Sequence, residues 1–494
     1  MLALLLQEAS GSPWHWIAIA MWAVGELLAV VFVWRIIANG GAPASTLLWV
    51  VLILLLPSGL GLALYYLFPR QLQLRRLRRI RSSQERWRGE LRIRGAEPST
   101  LAASASPMGE AADRSMCRLL QGVAGEGLSA GNRARWLPSG NDFFAAASLA
   151  IQSAQRFVHF QVYIFRPDDT GLHLLRLLTE AARRGVEVRL LYDSFGSWGL
   201  KSHHLEALRA AGGKADAFLP MLRKRRPFTV NLRNHRKLLV IDGRLAFTGG
   251  RNVGDEYSKD RFGNRQHWLD AMVAIEGPAV SALHEVFAED WFHATDEELT
   301  DARWFPPSLP IGHDIIGIVG SGPDRDFQPL WLAMFQAITD SRDRIDLSSP
   351  YLLPPPSLLL ALKVAAARGV RVRIFTNGQR SEAVVLYHAQ RSYYDEWLKA
   401  GIEVFETESN YNHAKLLVVD RRVVMVGSAN MDMRSAHLNF ELAAVLPDSP
   451  DFARDVLATL DERAGGSRLV TSPAQTRPVW RLVDGFCRLL SPLL

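Results

Sequence analysis

The chain has 494 residues, 48% hydrophobic and 22% charged, which suits two or three domains and excludes wholesale disorder. Lys and Arg outnumber Asp and Glu by 57 to 50, a balance compatible with nucleic acid, an anionic membrane or an anionic substrate. Cys117 and Cys487, the two cysteines, exclude a disulfide framework and, by themselves, a structural zinc site. Only eight of the cations are Lys, at 201, 214, 224, 237, 259, 363, 399 and 415, so the position of each is informative.

Residues 16–34 carry one charge, Glu26, and residues 47–68 carry none. As a helix the second run would extend about 33 Å, enough for a hydrocarbon core. The expectation is a two-helix membrane anchor over 14–68, with Trp14, Trp16, Trp49, Tyr65 and Tyr66 as interfacial aromatics. A cleaved signal peptide is disfavoured by the missing basic n-region and by the second span. Glu26 reads equally as a functional intramembrane carboxylate and as a group near protein or headgroups.

Residues 70–94 hold ten Arg against Glu85 and Glu90, whereas the loop between the spans offers only Arg35. Positive-inside bias therefore places everything after residue 69 in the cytoplasm, and the same collar suits anionic headgroups. The collar carries +8, so the other 469 residues sum to about −1, unlike a generally basic nucleic-acid-binding chain. Residues 69–130 read as this basic juxtamembrane segment and an Ala/Ser/Gly-rich linker with one short helix around 109–121.

From residue 131 the chain repeats itself. ARRGVEVRLL at 182–191 returns as AARGVRVRIF at 366–375, each a helix end, a Gly stop and a buried strand. With strands at 158–165 and 345–353, the order argues for a mixed-sheet α/β domain in two copies. The strongest match sets HRKLLVIDGRLAFTGGRN at 235–252 against HAKLLVVDRRVVMVGSAN at 413–430, identical at nine of eighteen positions.

In an extended strand residues i and i+2 share a face, so His235 points with Lys237 and His413 with Lys415. Asp242 and Asp420 fall at hairpin turns, an odd number of residues from each His, which reads as structural on geometry. Asn252 and Asn430 offer amide donors beside Gly-rich backbone. Two imidazoles, two ammoniums and two amides around one cavity suit a phosphodiester: Lys neutralises non-bridging oxygens, one His attacks phosphorus and the other protonates the leaving alkoxide. H-x-K supplies one ligand per repeat beside a repelling cation, which argues against a metal centre. His203 and His204 lack any carboxylate or Cys pattern and read as a surface position, and no G-x-S-x-G turn supports a serine hydrolase.

The pattern H-x-K-x4-D-x6-G-[GS]-x-N, present twice, resembles the duplicated signature of the phospholipase D superfamily. More narrowly, the chain resembles bacterial cardiolipin synthases of that type in PSGLGLALYYLFPR (57–70), GGRNVGDEY (249–257), IEGPAV (275–280), VGSGPD (319–324), SSPYLLP (348–354) and RLLSPLL (488–494). It departs from them in Ala436, where an aromatic is usual, and in WLD at 268–270, where W-R-D is usual.

The resemblance implies an α/β fold of two phospholipase D-type mixed-sheet repeats, 131–310 and 311–494, the second ending in an amphipathic helix. These would form one pseudo-twofold catalytic unit preceded by two transmembrane helices. It implies an enzyme of the bacterial inner membrane, multi-pass, with a cytoplasmic catalytic domain. The implied reaction makes cardiolipin and glycerol from two phosphatidylglycerol molecules through a phosphohistidine. His235 is the implied nucleophile and His413 the general acid and then base; Lys237, Lys415, Asn252 and Asn430 bind phosphoryl oxygens. Asp242 and Asp420 count with the catalytic motif, and Asp270 and Glu441 match carboxylates that orient the His. No metal or other cofactor is implied; the partners are phosphatidylglycerol and anionic lipids, and no nucleic acid is expected.

A phospholipase D hydrolase or a transferase with another alcohol acceptor fits the same motifs, since acceptor choice lies in pocket shape and water exclusion. A membrane-tethered nuclease would share the chemistry, but the spans and the Arg collar argue against it. A non-enzymatic lipid scaffold would not need both His and both Lys. Eleven extra residues in the first repeat, within LPMLRKRRPFTVNLR, put Arg223, Lys224, Arg225 and Arg226 either at lipid phosphates or in a solvated loop. The C-terminal stretch 477–494 has helical apolar spacing and suits either the membrane interface or packing on the catalytic core.

Overall fold

Runs rich in Val, Ile, Leu and Phe recur in the same order twice after residue 127, and the computed structural model folds them into one mixed sheet. The structure describes residues 13–38, 43–55, 111–124, 128–219, 232–258, 268–325, 328–378, 384–408, 410–472 and 478–489. The described residues fall into two compact units, 13–55 in the first and those from 111 on in the second.

The first unit contains the helices Pro13–Ala38 and Pro43–Leu55. Ala29, Ile36 and Ile53 make a small core between them, flanked by Val33 and Trp49. Leu27, Val30, Trp34, Leu54 and Leu55 are among their exposed apolar side chains. Among the described residues no helix is long and apolar enough to cross a membrane. Most of the expected second span, from residue 56 on, lies outside the described residues, as do the Arg collar and the basic insert at 223–226.

In the second unit the strands are β1 (Leu128–Leu137), β2 (Phe157–Val162), β3 (Glu187–Asp193), β4 (Lys214–Phe218), β5 (Arg233–Asn234), β6 (Leu238–Ile241), β7 (Leu245–Gly249), β8 (Trp268–Leu269) and β9 (Met272–Glu276). They continue with β10 (Asp314–Ser321), β11 (Arg344–Ser348), β12 (Arg371–Asn377), β13 (Glu403–Thr407), β14 (Tyr411–Asn412), β15 (Leu416–Val419), β16 (Val423–Gly427), β17 (Asn439–Leu446) and β18 (Ser467–Leu469). The pairing order is β18-β13-β12-β11-β15-β16-β17-β10-β1-β9-β7-β6-β2-β3-β4. Apart from β18 it reads alike from either end, β10 to β13 standing for β1 to β4 and β15, β16 and β17 for β6, β7 and β9. The halves join through antiparallel β1 and β10, with Leu128 opposite Gly317. Within each half three strands are parallel and the rest antiparallel, the mixed sheet expected from the repeat.

Each half has its own apolar core. Met116, Cys117, Leu120 and Leu128 belong to the second half's core, with Leu330 and Met334. The helix Ala111–Leu119 falls within the expected 109–121, but the segment is core and strand before residue 130 rather than linker throughout. Amphipathic spacing could not reveal this, because the partner surface lies some 200 residues away. The helix Pro478–Leu489 packs on the catalytic body: Val483 and Cys487 join the core and His388 Nδ1 lies 2.7 Å from Asp484 Oδ1. Its Val479, Leu482 and Phe486 remain exposed. His203 and His204 sit on a one-turn helix, Ser202–Leu205, with His203 exposed.

Candidate active site

Two short parallel pairings build the site. β5 lies beside the start of β17, and β14 beside β8, so each half contributes its His segment to a strand of the other. His235 N donates to Phe440 O at 2.9 Å, and His413 N to Leu269 O at 2.7 Å. The residue after each acceptor is a carboxylate. His235 Nδ1 is therefore 3.0 Å from Glu441 Oε2, and His413 Nδ1 is 2.5 Å from Asp270 Oδ2. Each carboxylate expected after a motif thus contacts the His of the other half.

All six groups are buried, and the carboxylates are fully so. Lys237 Nζ donates to His235 O at 2.6 Å, and Lys415 Nζ bonds to His413 O in the same way. Glu441 also accepts from Ser428 Oγ at 2.5 Å and Asn439 Nδ2 at 3.2 Å. The position matching Ser428 is Gly250, where a Cβ would lie 2.2 Å from Asp270 Oδ1. Asp270 instead accepts from Ala271 N at 2.7 Å. Ring contacts wall the site: Tyr163 lies 4.9 Å from His235, and Trp268 5.0 Å from His413.

Burial pushes both imidazoles down, to about 4 for His235 and about 3 for His413; Glu441 opposes the first shift, and Lys415 deepens the second. Burial alone would raise the carboxyls. At Asp270, Lys415 and His413 outweigh it, and at Glu441, His235 and Lys237 do, so both carboxyls lie below their usual range. Burial lowers Lys237 to about 7, helped by the Lys415 charge, and Lys415 to about 8. An ionised carboxylate can only accept, so each Nδ1 carries the hydrogen and each Nε2 keeps a lone pair. Two Lys, both easier to deprotonate than usual, face two carboxylates around two neutral imidazoles.

The other expected site residues are placed differently. Asp242 accepts from the backbone N–H groups of Gln155, Arg156 and Phe157 at 2.8–2.9 Å. Asp420 accepts from those of Arg342, Asp343 and Arg344 at 2.8–3.0 Å. Both sit at turns with φ of 53° and 51°, at the strand ends away from the His. Both Asp side chains thus spend their oxygens on backbone amides. Asn252 Oδ1 accepts from Ile164 N at 3.2 Å and Nδ2 donates to Tyr257 Oη at 2.8 Å. Asn430 Oδ1 is buried without a hydrogen-bond partner. Among the described residues no group of three or more His, Cys, Asp or Glu is arranged to hold a metal ion.

A family described as "Cardiolipin synthase, PLD-like domain" matches residues 149–291 and 334–463, which hold both His–Lys motifs and both carboxylates. The chain belongs to this family. It is thereby an enzyme, a phosphatidyltransferase of the phospholipase D type. The cardiolipin synthase of Geobacillus kaustophilus (strain HTA426) is 34% identical over 97% of this chain and 95% of its own length. That of Geobacillus thermodenitrificans (strain NG80-2) is 36% identical over 94% and 92%. Among solved structures, phosphatidylserine synthase from Haemophilus influenzae Rd KW20 shares the fold, with a TM-score of 0.58 at 14% identity, covering 77% of this chain and all of that one.

Sequence reasoning missed Tyr163, Ser428, Arg236 and Asp290. Ser428 carried a signal, as the variable position of G-[GS]-x-N. Arg236 is the chain neighbour of His235, but Asp290 and the Tyr163 ring reach that segment only through the folded sheet.

Proposed function

We propose that the protein is a membrane-anchored phosphatidyltransferase that makes cardiolipin and glycerol from two phosphatidylglycerol molecules through a phosphohistidine. The observation that carries this reading is the pair of His–carboxylate couples, each with a free Nε2, flanked by two Lys. In the first step His235 Nε2 forms a bond to phosphorus as the bond to the glycerol oxygen breaks. His413 Nε2–H gives its proton to that oxygen. An anionic diester entering the site favours the proton that His413 needs, and the two Lys neutralise charge growing on the non-bridging oxygens. In the second step the terminal hydroxyl of another phosphatidylglycerol gives its proton to His413 Nε2 and bonds to phosphorus. The P–N bond breaks and both His are restored. Asn430 binds the phosphoryl oxygens in this reading, and its unpartnered amide oxygen leaves an acceptor that suits a lipid hydroxyl.

Two features support anchoring in the bacterial inner membrane. The helices Pro13–Ala38 and Pro43–Leu55 expose many apolar side chains, among them Leu27, Val31, Trp34, Leu47 and Leu55, and the Arg collar of residues 70–94 favours a cytoplasmic catalytic part. The test is purified protein in phosphatidylglycerol liposomes, with products identified by mass spectrometry. Cardiolipin with glycerol supports the reading. Phosphatidic acid alone makes the enzyme a hydrolase, and DNA cleavage alone refutes lipid transfer.

A further inference from the structure

Asp290, on the helix Ala279–Thr295, belongs to no motif and is fully buried behind the segment that carries His235. Its Oδ2 accepts from Gln161 Nε2 at 2.6 Å and Asn234 Nδ2 at 2.9 Å, and Arg236 Nη1 lies 2.9 Å from both its oxygens. Asn234 and Arg236 are the two chain neighbours of His235. In extended chain their side chains point away from the imidazole, so one carboxylate grips the backbone on both sides of it from behind. Arg236 Nε then donates to Glu441 O at 3.2 Å, and the side chain of that same residue receives His235 Nδ1. The links close a ring: His235 to Glu441, Glu441 to Arg236, and Arg236 along the chain to His235.

The other half has no such device. Ala414 replaces Arg236, and Asn412 Nδ2 donates to neutral groups, Ser348 Oγ at 3.1 Å and Phe375 O at 3.0 Å. We propose that Asp290 is a positioning residue for His235 alone, setting through Asn234 and Arg236 how the imidazole meets Glu441. This rests on the phosphatidyl-transfer reading of the site. Asp290 touches no substrate; its charge keeps the buried Arg236 paired and its geometry keeps that side chain on the Glu441 carbonyl.

The test compares wild type, Asp290→Asn, Arg236→Met and the double variant R236M/D290N. It follows cardiolipin formation, thermal unfolding, and the rate at which diethyl pyrocarbonate modifies each His, resolved by mass spectrometry. A displacement of about 1 Å costs on the order of 100-fold in rate, so D290N should lose about that in kcat with KM within about twofold. The midpoint should fall in D290N, which leaves the buried Arg236 with only the Asp324 charge beside it, and recover in R236M/D290N while kcat stays low. Recovery of kcat together with the midpoint, or an unchanged kcat in D290N, would show that the pair only balances charge. Modification at His235 should change in D290N while that at His413 does not; equal rates at both sites in wild type and variant overturn the proposal. If wild type forms no cardiolipin, the transfer reading fails by itself, and the modification rates still decide the role of Asp290.

Discussion

Glu441 Oε2 lies 3.0 Å from His235 Nδ1 although 206 residues separate them, and the short parallel pairing of β5 with β17 makes that contact. Asp270 meets His413 by the equivalent pairing of β14 with β8. Neither half alone contains a complete His–carboxylate couple, so the active unit is the joined sheet.

Glu441→Gln and Asp270→Asn keep the size of each side chain while removing the charge that fixes the Nδ1–H tautomer. The orienting carboxylate of a Ser–His–Asp triad is worth up to about 10,000-fold, and each variant here should lose about 100- to 10,000-fold in kcat. Steady-state cardiolipin formation at fixed lipid composition checks this, and retention of wild-type kcat by either variant removes that carboxylate from the mechanism.

Gly250 and Ser428 hold matching positions with opposite requirements. Gly250→Ala would press a Cβ against the Asp270 carboxylate and should cost on the order of 100-fold in kcat by displacing it from His413. Ser428→Ala loses one hydrogen bond to a charged group, about 1.5–3 kcal/mol, and should cost at least about tenfold. Activity in the order wild type, S428A, G250A is expected; the reverse order for the two variants contradicts the packing argument.

The buried imidazoles make stability depend on pH. Their folded-state values, about 4 and about 3, lie below the ordinary 6.5, so between these limits the unfolded chain binds more protons than the folded one. The imidazole contribution should therefore be level above about pH 6.5, and stability should decline as pH falls toward 4. Thermal midpoints across this window should drop less steeply in His235→Gln than in wild type. Parallel slopes would mean that His235 carries a proton in the folded enzyme.

Asp242 and Asp420 separate stability from chemistry. Replacing Asp242 with Ala leaves three backbone amides without their acceptor and removes the side-chain hydrogen bonding that makes left-handed backbone tolerable there, about 2–3 kcal/mol in all. The thermal midpoint should fall while kcat, measured well below it, stays within about twofold of wild type. A large loss of kcat without loss of stability would return Asp242 to the chemical step.

Much of this protein was legible in one dimension. Period-two and helical patterning identified the repeated α/β units, because strand and helix faces are set by local spacing. The H-x-K pairs announced the ionic chemistry, because i and i+2 share a strand face whatever the rest of the chain does. The turn positions of Asp242 and Asp420 already pointed to a structural role. The exchange of Glu441 and Asp270 between halves, the entry of Met116 to Leu128 into the second core, and the Asp290–Arg236 brace were settled only in three dimensions. Each depends on pairing between segments far apart in the chain. Such pairing follows from joining two halves edge to edge through β1 and β10, and local spacing does not encode it.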